Sequence, residues 1–222
     1  MYSEILKWRM RDLSPRPYQM RQRQVAADRT RIRILMATRK LLLGRNFSEF
    51  TMEAVARAAG VTRLTVYHQF ESRAGLLEAL YNFIAQRGSM QNLAEVFRRG
   101  SDPLQTLHEF IRVFAGFWSS DRAVIRRLHA LGAIDAEIGK GLLERNERRR
   151  NDLRVILERY GRVYRMFTPV QEPIAIDTLH MLTSFETYDA LAGSTRSAEE
   201  VVEIIIKLVD QVIGLPSPFI RR

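Results

Sequence analysis

The run Arg63-Leu64-Thr65-Val66-Tyr67-His68 holds the side chains whose types and spacing best suit chemistry, and that chemistry is non-covalent recognition of a polyanion. Wound into a helix, its outward residues are Arg63, Leu64, Thr65, Tyr67 and His68. They are hydrogen-bond donors and apolar contact groups with no carboxylate among them, which suits a phosphate-lined groove. Leu64 has two readings, contact with a thymine methyl or packing on a neighbouring helix. Tyr67 also has two, a contact group or a half-buried core residue whose hydroxyl reaches water. Ser72 caps a following helix that begins with Arg73, where cation and helix dipole oppose each other unless an anion sits nearby. A second set lies further on. The stretch Phe110-Ile111-Arg112-Val113-Phe114-Ala115-Gly116-Phe117-Trp118 is dense in aromatics, which suits either an ordinary core or a ligand cavity walled by Phe114 and Trp118. His129, His180 and Tyr188, like His108 and Arg126, are polar groups on mainly apolar helices, suited to orienting a small molecule or to sitting satisfied or exposed. Catalysis finds little support. Gly139-Lys140-Gly141 lacks the earlier glycine and the following Ser/Thr of a P-loop, and no Ser/His/Asp or carboxylate pair sits in a Gly-rich turn.

The recognition run needs a scaffold, and the residues before it supply one. Thr51 can cap a helix with Glu53 in its first turn, Val55 and Ala59 form its inner face, and Ala56 and Ala58 keep it slim. Gly60 supplies the left-handed conformation that turns the chain, Val61 plugs the turn into the core, and Thr62 caps a second short helix. That is a helix-turn-helix, whose second helix lies in the major groove, or else a tight helical hairpin of the ordinary kind. Helical periodicity predicts helices at about 24–43, 52–59, 63–70, 73–88, 103–118, 121–132, 136–160, 174–192 and 198–213, with no strand, so the fold class is all-α. Asp102-Pro103-Leu104-Gln105 and Ser197-Ala198-Glu199-Glu200 mark two helix starts. The run from Glu144 to Arg154 reads as a solvated helix face laced by Glu144–Arg148, Arg148–Asp152 and Glu158–Arg162 pairs. Two amphipathic helices near 174–192 and 198–213 suit a four-helix bundle with a second copy of the chain.

Composition narrows the partners. The chain has 222 residues, 46% of them hydrophobic, enough for one large domain or two modest ones. With no cysteine and four histidines without ligand spacing, neither a metal site nor a cofactor is expected, and the chain reads as cytoplasmic. No apolar run reaches the ~18 residues of a membrane span. Basic charge is concentrated: residues 1–73 carry 15 Lys+Arg against 6 Asp+Glu, and 74–222 carry 20 against 19. The expected organisation is a basic, disordered extension over 1–22, with a minor-groove arm as its other reading, a DNA-binding domain over 23–73, and a ligand-binding and dimerisation domain over 74–222.

From about Arg29 to Tyr81 these residues resemble the TetR family of bacterial one-component regulators. The likeness is carried by Ala37-Thr38-Arg39-Lys40-Leu41-Leu42, Phe47, the run Thr51 to Phe70, and Glu71-Ser72-Arg73-Ala74-Gly75-Leu76-Leu77. It implies a three-helix DNA-binding head, a larger helical effector-binding domain and a homodimer joined through the last two long helices. Carried over by position, Arg63, Leu64 and Thr65 would face bases, while Thr51, Tyr67, His68 and Arg73 would contact phosphates. Two departures stand out: Asn46 replaces the usual glycine before Phe47, and Arg73 replaces the usual lysine. The expectation is a ligand-responsive regulator, most often a repressor in such families, that binds double-stranded operator DNA and is released by a small-molecule effector. Another class stays open, a helical ligand-binding or enzymatic protein whose basic N-terminus binds RNA or acidic membrane.

Overall fold

The computed structural model describes residues 16–44, 50–99, 102–164 and 171–214. Among these it is all-α, with eleven α-helices, a short 3-10 turn and no strand. Asn46 and Phe47, with the departure they carry, lie outside the described residues, as do Met1–Ser14 and Pro15.

Two compact units meet in sequence between Arg73 and Ala74. The first holds α1 (Arg16–Leu42), α2 (Met52–Ala59) and α3 (Arg63–Phe70). Ile34, Leu35, Leu42, Phe50, Val55, Ala59, Val66 and Phe70 are among its buried apolar residues. Each such side chain taken out of water contributes about 1.5–3 kcal/mol when large. That burial matters because eight-residue helices such as α2 and α3 are too short to persist alone.

The second unit contains α4 beyond Arg73 (α4 is Arg73–Arg87), α5 (Leu93–Arg99), α6 (Pro103–Ser120), α7 (Arg122–Ile134), α8 (Ala136–Tyr164), α9 (Gln171–Leu182), α10 (Phe185–Ala192) and α11 (Ala198–Gly214). Helix α6 is its axis, packing against α5, α7, α8, α10 and α11. The proline and cap expected at its start are present, with the Asp102 carboxylate accepting from the Leu104 N–H at 3.1 Å. The box at the start of α11 also forms: Ser197 Oγ accepts from the Glu200 N–H, and Glu200 accepts from the Ser197 N–H at 2.8 Å.

Three expectations need correction. Helix α1 begins at Arg16 rather than near 24, so residues 16–22 of the expected disordered extension are helical. The run Tyr18 to Gln24 is made of residues that lose little on entering a helix, and their lack of an apolar stripe concealed this. The helix expected over 174–192 is two, because Ser184 takes the Thr187 N–H at 3.1 Å and caps a fresh start. The interval 89–99, left without an element, is a 3-10 turn followed by α5.

Candidate functional site

In the first unit, α2 closes on a left-handed glycine. Gly60 sits at φ 63°, ψ 42°, its N–H bonded to the Arg57 carbonyl at 3.2 Å and the Val61 N–H to the Ala56 carbonyl at 3.0 Å. This paired closure fixes the angle at which the chain enters α3. Thr62 then caps α3: its hydroxyl accepts from the Thr65 N–H at 3.1 Å and lies 2.8 Å from the Thr65 hydroxyl. Arg31 of α1 anchors the far end, donating to the Gln69 carbonyl at 2.8 Å with its guanidinium 4.5 Å from the Phe70 ring centroid.

Held this way, α3 buries Val66 and Phe70 and presents Arg63, Leu64, Tyr67 and His68 to solvent. Leu64 is 66% exposed, which removes its packing alternative. Arg63 lies along Tyr67, with Nη2 3.4 Å from the phenol oxygen and the guanidinium 5.3 Å from the ring centroid. That hydrogen bond pushes the Arg63 guanidinium further into its charged form. Thr65 is half-exposed. Thr51 is exposed but spends its hydroxyl on the Ala54 N–H at 3.1 Å. Arg73 is half-buried with its guanidinium 5.5 Å from the Phe50 ring centroid. Helix α3 ends at Glu71, whose φ of 64° and ψ of −50° are rare for a side-chain-bearing residue. Phe70 carbonyl and Ser72 N–H close a γ-turn around it at 2.6 Å.

In the second unit a cavity of about 240 Å³ opens among residues of α4, α6 and α8, with Phe114, Phe117 and Trp118 on its α6 side. Of the five residues expected to meet a ligand, Phe114 and Trp118 line it and three do not. His129 packs behind Trp118, ring centroids 6.2 Å apart, and its Nδ1 lies 2.8 Å from Glu186, whose carboxyl that bond holds down at about 2. His180 stands behind Arg149, and Tyr188 is buried elsewhere in the core. His108 and Arg126 reach Asp210 and Asp189 respectively, each at 2.7 Å.

Sequence reasoning missed Arg149, read within a solvated run but in fact 3% exposed and lining the cavity. A signal was there: Arg149 precedes the buried Leu153, Ile156, Leu157 and Tyr160 by four, seven, eight and eleven residues, on the apolar stripe of α8. The solvated-face reading holds for Arg162, 3.7 Å from Glu158, but Arg145 turns inward to Glu78 and Asn82. A larger hollow of about 590 Å³ opens beside α5 and α6, bordered by Glu95, Gln105 and Glu109. Among the described residues no group of three His, Asp or Glu could hold a metal ion, and no helix is long and apolar enough to cross a membrane.

Residues 34–80 match the family model for bacterial regulatory proteins of the tetR family. AlkX, an HTH-type transcriptional regulator of Mycobacterium tuberculosis, is 46% identical over 54 residues, 24% of this chain. The match spans about a quarter (26%) of that relative's length. Among solved structures, a TetR-family transcriptional regulator from a Rhodococcus species superposes with a TM-score of 0.69 at 18% identity, over 83% of this chain and 99% of that one. NalD of Pseudomonas aeruginosa, the secondary repressor of the MexAB-OprM multidrug efflux pump, gives 0.60 at 24% identity, over 82% and 96%. Whole-chain likeness at these identities speaks for the fold, and the match to the family model lies in the first unit and the start of α4.

Proposed function

We propose, from the match of residues 34–80 to the family model for bacterial regulatory proteins of the tetR family, that the chain is a ligand-responsive TetR-family repressor that binds a pseudo-palindromic operator as a homodimer in the cytoplasm. The observation that carries this reading is the outward face of α3, where Arg63, Leu64, Tyr67 and His68 stand in solvent on a helix capped at Thr62 and anchored by Arg31. Arg63, Leu64 and Thr65 meet base edges, with Leu64 set against a thymine methyl. Thr51, Tyr67, His68 and Arg73 contact phosphates.

Dimerisation supplies the second half-site, since paired recognition helices must meet major-groove faces about 34–36 Å apart. Exposed apolar side chains on α9 and α11, Ile174, Met181 and Leu208, support these helices as the mating face. An effector in the α4–α6–α8 cavity binds one head spacing better than the other, and operator affinity falls by that difference. NalD is itself named a repressor, which favours repression over activation.

A gel shift on the DNA flanking the chain's own gene tests the core of this. Specific retardation over random duplex is expected, and Arg63→Ala should weaken it about 5- to 150-fold, the value of about 1–3 kcal/mol for one good base contact. Equal retardation of RNA, random DNA and the flanking DNA would favour a non-specific basic surface instead.

A further inference from the structure

We propose that the cavity among α4, α6 and α8 takes a small organic anion with an apolar, ring-bearing body, and that Arg149 is its counter-charge. The inference rests on the effector-binding reading above and gives that effector a chemical class.

Arg149 is a buried cation that forms no ion pair among the described residues. Only 3% of it is exposed, its Nε is buried and reaches no acceptor, and its Nη2 donates to His180 Nε2 at 2.9 Å with the His180 carbonyl at 3.4 Å. Burial pulls its pKa down to about 10, so the charge persists at neutral pH. A buried guanidinium without a carboxylate is costly, and that cost is recovered when an anion arrives. Nearby carboxylates are otherwise engaged or outnumbered: Glu186 is bonded to His129, and Asp152 is, among the described residues, the single carboxylate lining a cavity that also holds Arg145, Arg148 and Arg149. Of these, Arg145 is already bonded to Glu78 and Asn82.

The rest of the wall selects the body of the ligand. The Arg149 guanidinium lies 5.8 Å from the Phe114 ring centroid and 5.9 Å from that of Trp118, so aromatic faces continue directly from the cation. Ala85, Met90, Leu93 and Phe117 complete an apolar lining. At about 240 Å³ the space is below the ~300–1,000 Å³ of drug-sized pockets, which limits the guest to one or two rings or a short chain.

His180 offers a response. Its Nε2 lies 2.9 Å from the Arg149 Nη2, a donor, and 3.1 Å from the Asn146 carbonyl, an acceptor, and a neutral ring serves only one of them at that nitrogen. Burial and the Arg149 charge favour the neutral ring. An anion that draws Arg149 to itself frees His180 to take the tautomer that donates to Asn146, changing the link between α8 and α9.

The test uses the full-length protein without DNA and three acids, benzoate, 2-naphthoate and octanoate, each paired with its neutral amide. Binding is read by tryptophan fluorescence and thermal shift. At least one acid should bind at least tenfold tighter than its amide, and Arg149→Met should abolish that preference while leaving the amide's affinity unchanged. Arg149→Lys should retain part of it, and decides the matter if the Met variant fails to fold. Equal binding of every acid and amide, no binding by any acid, or an undiminished preference in Arg149→Met overturns the proposal. A gel shift with the same acids separates the two readings. Acid binding without release of DNA keeps the anion site and removes the effector response, whereas release by a neutral compound alone does the reverse.

Discussion

Single side chains decide how the head reads DNA, and some are held at a cost. Glu71 occupies φ 64°, ψ −50° at the end of the recognition helix, a conformation that costs a side-chain-bearing residue about 1–3 kcal/mol and glycine far less. It also sets a carboxylate beside the face proposed to meet phosphates. Glu71→Gly should therefore raise stability by about 1 kcal/mol, seen as a higher urea midpoint at unchanged slope, and should tighten operator binding. A lower midpoint would mean that the Glu71 side chain makes a contact worth more than the strain. Thr62 belongs to the same scale: with its hydroxyl on the Thr65 N–H, Thr62→Ala should cost about 0.5–2 kcal/mol.

At the level of elements, the cavity depends on how α8 is set against its neighbours. The α7–α8 pair crosses at Gly132 and Gly139, so closely that a Cβ on Gly139 would stand 2.5 Å from the Gly132 carbonyl oxygen. Two residues on, a Cβ on Gly141 would meet only the flexible end of Arg145, at 3.2 Å. The two substitutions should diverge in thermal or chemical denaturation. Gly139→Ala forces the helices apart and should destabilise by about 1–3 kcal/mol, whereas Gly141→Ala should gain up to about 1 kcal/mol of helix propensity. The sequence Gly139-Lys140-Gly141, which fails as a phosphate loop, thus has a packing reason for its first glycine.

For the whole molecule the governing quantity is charge. The excess of 15 basic over 6 acidic residues up to Arg73, against 20 and 19 in the remainder, puts the attraction for DNA on one unit. If a dimer neutralises about 6–10 phosphates, operator affinity should fall about 10³- to 10⁵-fold between about 50 and 200 mM salt. A gel shift across that range checks it; a flat response would mean that phosphate contacts are few. Analytical ultracentrifugation should give about twice 25.8 kDa for the dimer.

Much of this was legible in the chain itself, because it is governed by near neighbours. Thr51, Gly60 and Thr62 set caps and a turn through bonds spanning a few residues, and the apolar spacing of α2 and α3 then determined which side of the recognition helix faces outward. Tertiary structure decided what local pattern leaves open. Whether Arg149 is solvated or buried depends on what covers its face of α8, and His180, Phe114 and Trp118, 31 or more residues away in sequence, do so. The break at Ser184 and the start of α1 at Arg16 escaped for a related reason. A serine is compatible with a helix interior, so the sequence did not mark the cap at Ser184. A polar run is as compatible with a loop as with a helix, so the start of α1 had no apolar periodicity to announce it.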